Sequence, residues 1–169
     1  MQNYNYLEDW IDELRSNGKY SFALSDAKNR FRHSPEAIRQ SVNRLRKKGK
    51  IAQVRKEFYV IVPPEYSATG IIPPSFFIPD LMNFMDRDYY VGLLNAASYY
   101  GAGHQQPQEH FIITVPPTIQ PISTHSIKIN FCKKHSWDKR FVIDQKTEAG
   151  YLKISSPELT ALDLVFYQY

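Results

Sequence analysis

A single cysteine, Cys132, among 169 residues rules out an internal disulfide, and its isolation predicts a chain suited to the reducing cytoplasm. No stretch of about 18 apolar residues occurs, so nothing in the sequence is built to cross a bilayer as a helix. The opening Met1-Gln2-Asn3-Tyr4 runs into Glu8, Asp9 and Asp12 with neither a basic nor an apolar leader region, and no signal peptide is predicted. Proline is scarce at first: Pro35 stands alone among the first 62 residues, and then Pro63, Pro64, Pro73 and Pro74 follow closely. That change predicts a linker or strap over 63–75, between one domain over 1–62 and another over 76–169. Acids are nearly missing between Lys28 and Lys50, where Glu36 faces nine cations: Lys28, Arg30, Arg32, Arg39, Arg44, Arg46, Lys47, Lys48 and Lys50.

What is present is a soluble, globular composition, 43% hydrophobic and 22% charged, with rings enough to fill two small cores. The net charge of +4 is unevenly spread. Residues 1–66 carry 13 Lys and Arg against 8 Asp and Glu, and residues 67–169 carry 8 against 9. A basic excess confined to one module is a footprint for polyanions. The plainer reading, a solvated lysine-rich helix face, has to be weighed against the pattern that surrounds the charge.

That pattern is helical and then extended. Leu7, Trp10, Ile11 and Leu14 recur on one helix face and end at Asn17-Gly18. Tyr20 to Phe22 predicts a short strand, and Ser25 a cap for a second helix burying Ala27 and Phe31. Ser34-Pro35-Glu36 then supplies a capping oxygen, a proline where no N–H is missed, and an acid at the positive helix end. Ile38, Val42 and Leu45 make its buried stripe, and Gly49 ends it. Ile51 to Val54 and Phe58 to Val62 form a hairpin around Arg55-Lys56-Glu57.

Three helices and a basic-tipped hairpin predict a winged helix-turn-helix that binds double-stranded DNA. With Ile38, Val42 and Leu45 inward, Glu36, Gln40, Asn43 and Lys47 turn outward, flanked by Arg39 and Arg44. Gln and Asn pair with an adenine edge and Arg with guanine, and a helix in the major groove brings its first turns nearest the bases. Arg39, Gln40 and Asn43 are therefore the expected base readers. Lys28, Arg30, Arg32, Arg44, Lys47 and Lys48 are expected on phosphate, and Arg55 and Lys56 reach out from the wing.

The remainder predicts a small α/β domain, so the whole is α+β with helices packed on a mostly antiparallel sheet. Phe77, Leu81, Phe84 and Met85 suggest one helix, and Asp88 caps a second from Tyr89 to about Tyr100, whose small residues Gly92, Ala96 and Ala97 admit a close neighbour. Gly101-Ala102-Gly103 stops it. Strands are expected over 110–115, 126–132, 141–144 and 151–154, with turns at Pro116-Pro117, 133–139 and Ala149-Gly150. Ser155 or Ser156 caps a last helix that buries Leu159, Leu162 and Phe166. It runs to Tyr169 without a cap, as expected of a chain that continues, a helix completed by a partner, or a fraying end.

Four runs resemble one family. They are Ser34-Pro35-Glu36 through Asn43-Arg44-Leu45 to Gly49-Lys50-Ile51; Phe58-Tyr59-Val60-Ile61; Tyr89-Tyr90-Val91-Gly92-Leu93-Leu94-Asn95-Ala96-Ala97 with Gln106-Pro107-Gln108; and Ser155-Ser156-Pro157-Glu158-Leu159-Thr160-Ala161-Leu162-Asp163-Leu164. Together, and in order over nearly the whole chain, they resemble the AbiEi antitoxins of bacterial type IV toxin–antitoxin pairs. The resemblance implies a head that represses its own operon at inverted repeats. It also implies a second domain that opposes a nucleotidyltransferase-like toxin without a stable complex, commonly in phage defence by abortive infection. Two departures stand out: family hairpins often carry glycine where Glu57 stands, and members usually continue past this C-terminus.

No enzyme constellation assembles, and neither cofactor nor metal is expected. His33, His104, His110, His125 and His135 are scattered, and Cys132 with His135 is half of a zinc site at best. Gly101-Ala102-Gly103 follows a helix instead of a strand, so it cradles no nucleotide. Glu158 and Asp163 fall on different helix faces. Tyr89 and Tyr90 read as core. The alternative function is a one-component regulator whose second domain senses a small molecule or protein; a DNA-processing enzyme is a third.

Overall fold

The computed structural model describes residues 6–70, 72–102, 107–124 and 127–167. The expectations placed on Gly103, His104, Gln106, His125, Ser126 and Tyr169 lie outside the described residues. The chain divides into two compact units, Met1–Phe84 and Met85–Tyr169.

The first unit begins with α1 (Tyr6–Ser16), whose apolar face buries Leu7 and Ile11. Strand β1 (Ser21–Ala23) leads into α2 (Leu24–Arg30). The helix starts one residue before the expected cap, because Leu24 is drawn into the core and the Asp26 carboxylate accepts the Ala23 N–H at 2.8 Å. Ser25 is left exposed. Helix α3 (Pro35–Lys47) is capped as its sequence dictates, the Ser34 Oγ accepting the Ala37 N–H at 3.2 Å. Gly49 closes it in the left-handed conformation at φ 70°. Strands β2 (Ile51–Arg55) and β3 (Phe58–Ile61) complete an antiparallel sheet in the order β1-β3-β2. Its core is made by Leu7, Ile11, Phe22, Ala27, Ile38, Val42 and Leu45 with Ile51 and Ile61, and Trp10 meets Phe22 edge-on at 5.2 Å.

The proline-rich stretch is no loose tether. Ile72 and Pro74 are buried, the Tyr20 and Phe76 rings lie 4.7 Å apart, and α4 (Ile78–Phe84) packs on β1. Asp80 accepts the Ser21 hydroxyl at 2.6 Å, and Phe84 lies 5.2 Å from Phe58. Residues 63–84 thus belong to the first unit, which moves the division from the expected 62 and 76 to between Phe84 and Met85. Apolar side chains at 72, 74, 76–78, 81 and 82 outweigh the local extended bias of proline.

The second unit is built on a six-stranded mixed sheet, ordered β6-β7-β5-β4-β9-β8. Its strands are β4 (Tyr89–Val91), β5 (His110–Thr114), β6 (Ile122–Ser123), β7 (Lys128–Lys133), β8 (Val142–Thr147) and β9 (Gly150–Ser155). Three pairings are antiparallel; β4–β9 and β5–β7 are parallel. The expected single helix from Tyr89 to Tyr100 is instead β4 followed by α5 (Leu93–Tyr99). Two bulky rings and a β-branched residue suit a strand flanked on both sides. Gly92, in extended backbone, joins β4 to α5, and position 92 is glycine because a Cβ there would lie 2.9 Å from Ile113 Cγ1. Leu93 follows at φ 55°, a strained value for a side chain sealed in the core.

Helix α6 (Pro157–Phe166) is capped by Ser156, which accepts the Leu159 N–H at 3.3 Å, and it packs on β9 and α5. Its inward face differs from the expected one. Leu159 is buried as expected, but Leu162 and Phe166 are 68% and 71% exposed, and Thr160 and Asp163 are buried in their place. Polar partners inside the unit set this rotation: Thr160 Oγ1 lies 2.7 Å from Ser155 Oγ, and Asp163 meets Tyr90 and Lys134.

Candidate functional site

Helix α3 separates its side chains cleanly. Ile38, Val42 and Leu45 are in the core, while Glu36, Arg39, Gln40, Asn43, Arg44 and Lys47 are all exposed. The amides and the cations therefore share one solvent-facing surface. On one flank of that surface stands the hairpin. Arg46 donates from Nη1 to Gln53 Oε1 at 2.8 Å, and Gln53 reaches on to the Arg55 carbonyl at 3.3 Å, beside a register shift between Gln53 and Arg55. Burial pushes the Tyr59 phenol up, with the Arg46 cation pulling against it and the Glu57 carboxylate adding to it. On the other flank stands α1. There Arg44 donates from Nη2 to Ser41 Oγ at 3.0 Å, and Ser41 Oγ lies 3.2 Å from the Tyr6 hydroxyl.

The hairpin tip carries Arg55, half-buried, and Lys56, exposed. Glu57 sits at φ 61°. It thus takes up the left-handed backbone that glycine favours, at a cost of about 1 kcal/mol, and its carbonyl accepts the Leu24 N–H at 2.8 Å.

Acids on α1 sort the nine cations. Glu8 pairs with Lys50 and, at 3.6 Å, with Lys48. Glu13 lies 3.8 Å from Arg30. Among the described residues no acid pairs with Lys28, Arg32, Arg39, Arg44, Arg46, Lys47, Arg55 or Lys56. The positive field is therefore least compensated on the outer face of α3, along both its flanks and at the hairpin tip. Sequence reasoning passed over Arg46, Gln53, Ser41 and Tyr6 as site residues. The available signals were a serine at a core position of a helix and a glutamine among the apolar residues of a strand.

The second unit gathers its titratable groups around one carboxylate. Asp163, 1% exposed, accepts the Tyr90 hydroxyl on Oδ2 at 2.6 Å and the Lys134 ammonium on Oδ1 at 2.5 Å. The same ammonium lies 3.3 Å from the Tyr90 hydroxyl, and Trp137 meets the Tyr90 ring edge-on at 5.0 Å. Burial, and then the hydrogen bond to Asp163, push the Tyr90 phenol far up. Burial likewise raises the half-buried Cys132 thiol and holds His110 down at about 4. His135 is exposed. No group of three or more metal-ligating side chains stands together among the described residues. Nor, among them, is any helix long and apolar enough to cross a membrane.

No curated protein matches the chain. Residues 90–169, from the strand that carries Tyr90 to the helix that carries Asp163, match the family described as the AbiEi antitoxin C-terminal domain. The second unit of this chain belongs to the AbiEi antitoxin family.

Proposed function

We propose that the chain is an antitoxin whose first unit is a winged helix-turn-helix for duplex DNA, repressing the operon that encodes it. Its second unit opposes a nucleotidyltransferase-like toxin without a stable complex. The antitoxin half rests on the family of residues 90–169. The DNA half rests on one observation above all: α3 buries Ile38, Val42 and Leu45 while presenting Gln40, Asn43 and Lys47 to solvent, in a unit whose cations are least compensated on that side. In this reading Arg39, Gln40 and Asn43 meet base edges, and Lys28, Arg32, Arg44 and Lys47 meet phosphate, with Arg55 and Lys56 on the neighbouring backbone or minor groove. No catalytic step is assigned. Asp163, the one buried carboxylate among the described residues, is already engaged by Tyr90 and Lys134, which suits a structural part.

Titration of the purified chain with its own upstream DNA and with random duplex at matched salt tests the repressor role. Preference for the upstream sequence is expected, and equal affinity for both would remove it. A nucleotidyltransferase-type gene beside the coding sequence separates the antitoxin from a one-component sensor.

The cation sorting makes a further prediction. Lys47→Ala is expected to flatten the dependence of log K on log salt by about one unit. Lys48→Ala is expected to change it by less than half as much, because Glu8 already occupies Lys48. Equal slopes for the two variants would show that α1 withholds nothing from the duplex.

A further inference from the structure

Arg44 is exposed, yet its side chain has an uncharged partner. Its guanidinium is held 3.0 Å from Ser41 Oγ, one turn back along α3, in the direction in which helical side chains lean. Ser41 is only 5% exposed. Serine is a poorer helix former than alanine, and a buried hydroxyl costs free energy unless it is bonded, so its value at this position lies in its partners. A hydroxyl has one proton and two lone pairs, which serve Arg44 and the Tyr6 hydroxyl 3.2 Å away. Tyr6 is itself fixed, its ring 4.7 Å from Phe31 and 4.4 Å from His33, next to the Ser34 cap.

The anchor is neutral, and this sets Arg44 apart. Arg30, Lys48 and Lys50 are steadied by carboxylates that also cancel their charge. Ser41 steadies Arg44 and leaves its charge whole. Among the described residues one N–H of its five is engaged, which leaves the rest of the planar fork for a ligand. Position 44 is also one turn from Gln40, so the held guanidinium borders the expected reading face. Fixing such a side chain in advance spares the rotamer entropy that binding would otherwise cost.

We infer that Ser41 and Tyr6 are positioning residues that pre-orient Arg44 for contact with duplex DNA beside Gln40; the inference rests on the duplex reading proposed above. The full chain and its Ser41→Ala, Ser41→Thr, Tyr6→Phe, Arg44→Ala and Ser41→Ala/Arg44→Ala variants are titrated with upstream duplex over a salt series, with thermal unfolding in parallel. Ser41→Ala is expected to weaken binding about threefold to tenfold with an unchanged salt slope, since no charge is lost. Tyr6→Phe should act in the same direction more weakly, and Ser41→Thr should retain most of the affinity. In the Arg44→Ala background Ser41→Ala should cost nothing more. A merely structural serine would cost as much in both backgrounds, and that result, or unchanged affinity in Ser41→Ala, overturns the inference alone. A wild-type chain without salt-dependent duplex binding overturns the duplex reading and the inference with it.

Discussion

Asp163→Ala is expected to destabilise the second unit by about 3 kcal/mol, because it removes one acceptor shared by a buried phenol and an ammonium. Lys134 is about one quarter exposed and recovers some hydration, whereas Tyr90 is fully buried and its hydroxyl has no water to turn to. Asp163→Asn should cost less, since an amide oxygen still accepts from Tyr90. Denaturant unfolding followed by Trp137, which packs on Tyr90, in a Trp10→Phe background reports on this unit alone. A loss below about 1 kcal/mol in Asp163→Ala would show that the cluster contributes no net stability.

The same cluster sets a dependence on pH. Burial first, and the bond to Asp163 second, raise the folded Tyr90 phenol above its unfolded value of about 10. Its contribution is fully present below that value and is lost as the pH climbs past it, because the unfolded phenol ionises first. Stability should therefore fall above about pH 10, and fall less steeply in Tyr90→Phe. Tyr59, Tyr99, Tyr100 and Tyr167 are raised by burial too, so part of the fall should persist.

The second large effect concerns recognition. Gln40→Ala and Asn43→Ala should each weaken the cognate duplex by about 1–3 kcal/mol, and leave affinity for random duplex nearly intact. Both side chains are exposed on α3 beside a rigid apolar stripe, so unfolding is not expected to confuse the result. Equal losses on both duplexes would show that this helix does not read bases.

Local chemistry explains why α3 could be read directly from its residues. Ser34, Pro35 and Glu36 fix where it starts, Gly49 where it stops, and Ile38, Val42 and Leu45 which side is buried. None of these depends on distant residues. The stretch from Tyr89 to Tyr100 is the opposite case. Gly92 and Ala96 fall at helical spacing, but whether Tyr89 to Val91 is helix or strand is decided by β5 and β9, which pair with it from far along the chain. Helix α6 shows the same limit. Its leucine spacing pointed Leu162 inward, while the actual register is set by Tyr90 and Lys134, whose partner Asp163 no nearby residue announces. The proline-rich stretch was legible as a break in composition, but the packing of the segment that follows it depends on Tyr20 and Ser21, which meet Phe76 and Asp80 from far back along the chain. Of the candidate site, the solvent-exposed polar face of α3 was visible in the sequence. The pairings that sort its cations, Glu8 with Lys48 and Lys50 or Arg46 with Gln53, cross between elements and were not.

The place of β4 bears on how the second unit comes into being. It is the earliest strand of its sheet to be made, and it lies in the interior, between β5 and β9. As the chain emerges during synthesis, one side of Tyr89–Val91 is satisfied once His110–Thr114 arrives, and the other stays open until Gly150–Ser155 follows. The Tyr90 hydroxyl waits longer still, for Asp163. Closure of this sheet therefore depends on contacts between residues far apart in the sequence, and such contacts slow folding.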